Sequence, residues 1–304
     1  MADLTEATVR ELAGVSGGGD PVVSCYLDVD GRRYPRRQDY EAQLEHLVRR
    51  ARGRAEGTAS VVADLARIEE YVQAGFDRAE TRGLALFSCQ SSGFWRAIPL
   101  AVAVRNQIVV NQSPAVGQLE HLLHTYERIG VLLVDRQQAR VLVYELGVLV
   151  DRSELIDELP RDYDHRGERE RGDTHAHVDD LVEQHLRRAA SAAFAAHQAQ
   201  EFAHLLIGAP AELAGALEHH LHPYLVERLG GRLTVPVNAP DAVLRTAVLE
   251  AEDRLVRDRE TRVVERLREA VGAGRKAVAG LEPVLAALVE RRVDLLVVSE
   301  GYSE

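Results

Sequence analysis

The chain has no apolar run approaching the roughly 18 to 20 residues that a membrane-spanning helix needs. Its first residues, MADLTEATVRELAG, lack the basic and apolar regions of a secretory signal. The expected location is therefore the cytoplasm. Cysteine is scarce, with Cys25 and Cys89 alone in 304 residues. Both sit in apolar, strand-like surroundings, VVSCYLDV and ALFSCQS, which excludes a disulfide-built scaffold and reads as two reduced core residues. Lysine is scarcer still: Lys276 is the one lysine among 37 basic residues. No phosphate-cradling G-x-x-x-x-G-K-[ST] exists around it, and the G-x-S-x-G letters of Gly14 to Gly18 run from a helix to a strand, the reverse of the strand-to-helix turn that a nucleophile elbow requires. The Gly17 to Gly19 run lacks the strand and helix that a dinucleotide fingerprint requires. Nucleotide hydrolysis and serine-based acyl transfer thus have no motif to stand on.

What is present is a globular composition, 46% apolar and 28% charged, in a chain too long for one typical core. The net charge of −11 argues against a protein that coats DNA or other nucleic acid by bulk electrostatics. The charge is unevenly spread, however, with most of the acidic excess between residues 126 and 240. Local arginine clusters interrupt it: Arg32, Arg33, Arg36 and Arg37; Arg49, Arg50, Arg52 and Arg54; and Arg166, Arg169 and Arg171. Each reads either as a solvated face or as a patch for phosphate.

Hydrophobic periodicity divides the chain into three consecutive mixed α/β segments, 1–125, 126–240 and 241–304. The first opens with a short helix at Leu4 to Leu12, then a strand in PVVSCYLDVD. A helical region from Gln38 to Ala74 follows, broken near RGRAEGTAS, and then the strands LALFSC, FWRAIPLAVAV and QIVVNQ. The helix GQLEHLLHTYER forms the exit. The second segment predicts an antiparallel meander, IGVLLVD, ARVLVYEL and Val148 to Asp151, because such short connections cannot make a parallel crossover. A helix from Val178 then carries Leu181, Val182, His185, Leu186, Ala189 and Ala193 on one face. Strand HLLIG, a helix after Pro210, a helical piece through Tyr224 and Leu229, and a strand RLTVPV complete this segment. The third consists of a long helix, Asp241 to Ala270, followed by one helix and one strand in AVAGLEPVLAALVERRVDLLVVSEG. A lone helix-strand pair leaves an open edge and half a core. This domain is expected to be incomplete, as a fragment or as a half that a partner completes.

The densest chemistry lies in PRDYDHRGERERGDTHAH, residues 160–177, expected to be a long polar loop between the meander and its helix. Arg166, Arg169 and Arg171 can form charge-assisted bonds to RNA phosphate, and His165 can stack on a base. The interleaved acids Asp162, Asp164, Glu168, Glu170 and Asp173 nearly cancel that charge, so a solvated loop is the alternative. Two histidine strings invite a metal: His175 and His177 with Asp179 and Asp180, and His219, His220 and His222. Neither has a zincin spacing such as H-E-x-x-H, and no metal or other cofactor is expected. His185, on the apolar helix face, reads as a core histidine.

In this order, PVVSCYLDVD, ERIGVLLVDRQQARVLVYELG, the HRGERERG loop feeding VDDLVEQHLRRAA, FAHLLIGAPAEL and AGLEPVLAALVERRVDLLVVSEG, the chain resembles the bacterial relatives of archaeal and eukaryotic class-1 release factors. That group also takes in Pelota-like rescue proteins and Balon-type hibernation factors. The resemblance implies three domains, the middle one release-factor-like and the third similar to ribosomal kink-turn binders. It further implies entry into the ribosomal A site, with rRNA, the tRNA acceptor end and a translational GTPase as partners. In release factors the middle-domain loop carries Gly-Gly-Gln, whose glycines allow close backbone approach and whose glutamine region helps position the hydrolytic water. Here the loop holds Gly167 and Gly172, with no adjacent glycine pair and no glutamine; the next Gln is Gln184. The resemblance therefore implies a non-catalytic or weakly catalytic A-site factor for ribosome hibernation or protection. Its contacts would be His165, Arg166, Gly167, Arg169, Arg171 and Gly172, with Arg32, Arg33, Arg36 and Arg37 as secondary ones. The alternative is a peptidyl-tRNA hydrolase or rescue factor with a rewired loop and His165 or His175 as base.

Overall fold

The computed structural model describes residues 4–54, 59–156 and 168–299, with residues 54, 156 and 168–179 described by backbone alone. It separates into two compact units, Met1–Leu249 and Glu250–Glu304. The first is mixed α/β and contains two sheets.

The N-terminal sheet consists of β1 (Val22–Asp28), β2 (Gly83–Cys89), β3 (Phe94–Leu100) and β4 (Gln107–Asn111), antiparallel throughout in the order β3-β2-β1-β4. Helices α2 (Arg37–Arg54) and α3 (Ala59–Ala74) cover one face, where Val23, Cys25 and Leu27 meet Leu44, Val48, Leu65, Ile68 and Val72. Helices α1 (Glu6–Ala13) and α4 (Gly117–Thr125) cover the other, where Tyr26, Phe87 and Ile98 meet Val9, Leu12, Leu119 and Leu122. With neighbours on both faces and both edges, every residue of β1 is buried. An unbroken apolar run, rather than alternation, is the sequence form of such a strand. Its polar members are satisfied locally: Ser24 Oγ accepts from Ala115 N at 2.9 Å. On the neighbouring strand, Ser88 donates at 2.6 Å to Asp64 on α3, which also accepts from Gln90 N at 2.8 Å. Both cysteines are free and buried, and burial pushes the Cys25 thiol up to about 12.

The second sheet forms around the expected meander, β5 (Ile129–Val134), β6 (Gln138–Glu145) and β7 (Val148–Ile156). From there α5 (Glu168–Gln200) leads to β8 (His204–Gly208), which lies parallel to β5; α6 (Ala211–His220) and α7 (Pro223–Val226) lead to β9 (Leu229–Arg232), parallel to β8. The order is β7-β6-β5-β8-β9. Alanines 189, 190, 193 and 196 bring α5 close to the sheet, over Leu132, Val141 and Val143. Gly130 has no side chain because the ring of Phe202 lies where one would be: a Cβ there would stand 2.6 Å from it.

Three expectations are corrected. The helix expected from Val178 begins ten residues earlier, so 168–177 is helical rather than loop. The stretch ERERGDTHAH is rich in good helix formers and has no proline, and high charge density alone does not break a helix. The last strand of the sheet is Leu229–Arg232, not RLTVPV, and Leu229 is a strand residue rather than a helical one. Leu233 N still donates to Ile207 O at 2.7 Å, but Pro236 has no N–H with which to continue a ladder. The strand expected in RVDLLVVSEG is absent from the described residues, which continue through 299 without regular structure after α9 (Leu281–Val289). A strand needs a partner to satisfy its backbone, and α9 offers none.

Helix α8 (Asp241–Gly272) starts in the first unit. Arg140 of β6 anchors that start, donating to the carbonyls of Val237 and Ala239 and to the Asp241 carboxylate, each at 3.0 Å. Arg152 of β7 binds the same carboxylate, and its hydrogen bond is the main reason the Asp241 carboxyl lies below its ordinary range.

Candidate RNA interface

The primary candidates straddle the start of α5. His165, Arg166 and Gly167 lie outside the described residues, whereas Arg169, Arg171 and Gly172 belong to the first turns of the helix backbone. Val182 is the first buried apolar residue among the described side chains of α5. Between Glu168 and Val182 the helix rises about 20 Å. The N-terminal end of a helix in general carries a partial positive charge that favours an anion. Further along, Asp180 and Glu183 are exposed, Arg187 pairs with Glu183 at 2.6 Å, and His185 is fully buried on the core face.

The secondary candidates are engaged within the chain. At the C-terminal end of β1, the Asp28 and Asp30 side chains are 3% exposed. Arg32 grips Asp30 through Nε, 3.1 and 3.0 Å from its two oxygens, and through Nη2 at 2.6 Å. Arg33 Nη1 donates to Asp28 Oδ2 at 3.0 Å. Arg37 pairs with Glu41 at 2.6 Å and donates to the carbonyl of Gln73. Arg36 is exposed, and its backbone N–H donates to Asp39 at 2.8 Å. The two carboxylates respond oppositely. Burial pushes Asp28 up, outweighing its bonds from the Asp30 N–H and from Arg33. Burial acts the same way on Asp30, but the side-chain and backbone bonds from Arg32 outweigh it and hold that carboxyl below its ordinary range. Arg32 and Arg33 remain 44% and 69% exposed, so their outer edges face solvent. Withdrawing either to a phosphate would leave a buried carboxylate uncompensated, a costly exchange. The sequence signal for this was the D-x-D-x-R-R spacing of Asp28, Asp30, Arg32 and Arg33. The second arginine cluster behaves similarly, with Arg49 on Glu45 and Arg52 on Glu69, both at 2.6 Å.

The second histidine string serves the fold. His222 stacks on Phe194 at 3.9 Å between centroids and accepts from Tyr224 N as the cap of α7. His220 lies 3.6 Å from the Glu183 carboxylate. The side chains of His175, His177 and Asp179 are outside the description. Among the described residues no group of three or more histidine, cysteine, aspartate or glutamate side chains is placed to hold a metal, and no helix is long and apolar enough to cross a membrane.

Residues 114–257, spanning α4, the second sheet with its helices and the start of α8, match the family model described as Bacterial archaeo-eukaryotic release factor family 10. The match covers a little under half of the chain and is confined to this central part. Among solved structures, the chain is similar to an archaeal translation termination factor, aRF1, at 17% identity, covering 93% of this chain and 80% of that one with a TM-score of 0.33. It is also similar to Pelota of Archaeoglobus fulgidus at 14% identity, covering 69% and 60% with a TM-score of 0.34. Neither superposition is close enough to bear on the site. No curated protein matches the chain.

Proposed function

We propose that this release-factor-like protein is a cytoplasmic, ribosome-binding factor that occupies the A site and protects or silences ribosomes by occupancy rather than by ester hydrolysis. The observation that carries the reading is the family match over the central segment, combined with a tip sequence that has no Gly-Gly-Gln. A hydrolytic tip must let backbone approach the ester closely and must position a water. Here arginines stand in that stretch instead, with Arg169 and Arg171 on the first turn of α5. A helix start with guanidinium groups suits phosphate contact, so rRNA and the tRNA acceptor end are the proposed targets. His165, Arg166, Gly167, Arg169, Arg171 and Gly172 are the proposed contacts. Arg36 is the best placed of the N-terminal four for a secondary one. A translational GTPase is the proposed escort, and the division at 125 and 240 the proposed domain plan.

The test pairs binding with chemistry. Wild-type protein is expected to comigrate with ribosomes at physiological salt and to leave peptidyl-tRNA intact. Arg166→Glu with Arg169→Glu is expected to abolish comigration. Peptide release by the wild type, lost on His165→Ala or His175→Ala, would instead establish the hydrolase reading.

A further inference from the structure

The turn between β6 and β7 is built against its own preference. Glu145 pairs directly with Val148, leaving a two-residue loop, Leu146-Gly147, with φ of 49° and 72°. Two consecutive positive φ values are the mark of a type I′ hairpin, which strongly favours Asn-Gly or Asp-Gly. Leucine is a poor occupant of such a position, since its Cβ crowds the neighbouring carbonyl. A strained residue persists where its surroundings over-determine it. The surroundings are not those of the hairpin's own sheet. Leu146 is 7% exposed and packs in the core between the N-terminal sheet and helices α1 and α4, with Tyr26, Phe87, Ile98 and Leu100. Leu249 of α8, 3% exposed, joins the same core. Gly147 fits with no room to spare: a Cβ there would stand 2.5 Å from Leu249 Cδ2 and 3.1 Å from the Ala101 Cβ.

One side chain closes the junction. Arg245 of α8 donates from Nε to the Gly147 carbonyl at 3.0 Å and from Nη2 to the Glu80 carbonyl at 2.8 Å, and it pairs with the Glu80 carboxylate. Glu80 lies on the approach to β2, so one guanidinium fork ties together the N-terminal sheet, the hairpin tip and α8. Arg245 is 14% exposed and Glu80 48%. The lock therefore has a sheltered half and a half that solvent or a ligand can reach.

We propose that the Leu146-Gly147 tip is a latch: seated in the N-terminal core and bolted by Arg245, it makes the two sheets move as one body, and its withdrawal frees them. The strain at Leu146 biases the hairpin towards release, and the core contacts together with the fork hold it in place. Whatever breaks the Arg245 to Glu80 pair shifts that balance.

Spin labels at Glu70→Cys on α3 and Glu212→Cys on α6, both exposed positions, report the separation of the two sheets by pulsed dipolar spectroscopy; the native cysteines are buried. The latched protein gives one narrow distance. Leu146→Asn installs the turn's preferred Asn-Gly pair, so the hairpin stays folded while the plug is lost, and a broader or second distance is expected. Arg245→Ala is expected to act in the same direction. A broad distribution in the unsubstituted protein overturns the proposal, as does a distribution that stays narrow in Leu146→Asn. Should Arg245→Ala fail to fold, Leu146→Asn decides alone.

Discussion

Two stretches of this chain are nearly interchangeable as text and have opposite fates. PVVSCYLDVD becomes β1, with every residue buried. RVDLLVVSEG, equally rich in valine and leucine, forms no strand among its described residues, and Leu295, Leu296, Val297 and Val298 are 40–57% exposed. The difference is the company each keeps. β1 has β2 on one edge, β4 on the other, and helices over both faces. The later stretch follows a single helix, α9, of which Ala287 is the buried residue. Strand propensity measures fit to neighbours more than any intrinsic backbone preference, and here the neighbours decide.

That contrast can be broken from its strong side first. Phe87 pairs across from Ser24 and meets Tyr26 edge-on at 5.9 Å. Phe87→Ala should cost about 3 to 5 kcal/mol in urea unfolding, an effect large enough to unfold the first unit at moderate denaturant. Next, Asp64→Ala would strip the buried Ser88 hydroxyl and the Gln90 N–H of their acceptor; the expected loss is about 1 to 3 kcal/mol. At the end of β1, pH separates two neighbouring carboxylates. The Asp28 carboxyl is raised, so its contribution is present at low pH and is lost as pH rises through the raised value. Asp28→Asn should therefore gain stability relative to wild type at neutral pH, and the gain should vanish on acidification. Asp30 is lowered, so its contribution is present above the ordinary carboxylate range and is lost as pH falls through the lowered value. Asp30→Asn should lose stability at neutral pH and converge with wild type in acid. Urea midpoints across a pH series would expose a sign error in either. At the weak end, Leu295→Ala should change stability by less than about 0.5 kcal/mol, and the amides of 293–298 should exchange rapidly while those of β1 are protected. Slow exchange in 293–298 would show that the stretch has found a partner strand.

Much of the architecture was readable from apolar runs and turn residues, because strands buried on both faces and helices with one apolar stripe leave strong patterns. The meander was legible from connection length alone. What failed did so where distant parts decide. The start of α5 is hidden because a dense run of charges reads as loop, although glutamate and arginine are good helix formers. The bounds of β9 are hidden because they depend on which residues meet β8 before Pro236 ends the ladder. RVDLLVVSEG has the propensity of a strand, but its described residues have no partner strand to pair with. At the candidate interface, the arginine clusters were visible, but the use to which Arg32 and Arg33 are put was not, since it depends on two carboxylates at the end of a strand becoming buried. The latch at Leu146 was the least legible, because a leucine in a left-handed turn makes sense only once the core that receives it is seen.

The central proposal is that the arginine-bearing stretch within the segment matching the release-factor family model binds the ribosome without cleaving its tRNA ester. Sedimentation of purified protein with 70S ribosomes at physiological salt, alone and with Arg166→Glu plus Arg169→Glu, tests it directly. The account predicts that the wild type pellets with ribosomes and the double variant stays in the supernatant. Equal pelleting of both, or none by either with ribosomes from growing and stationary cells, would contradict it.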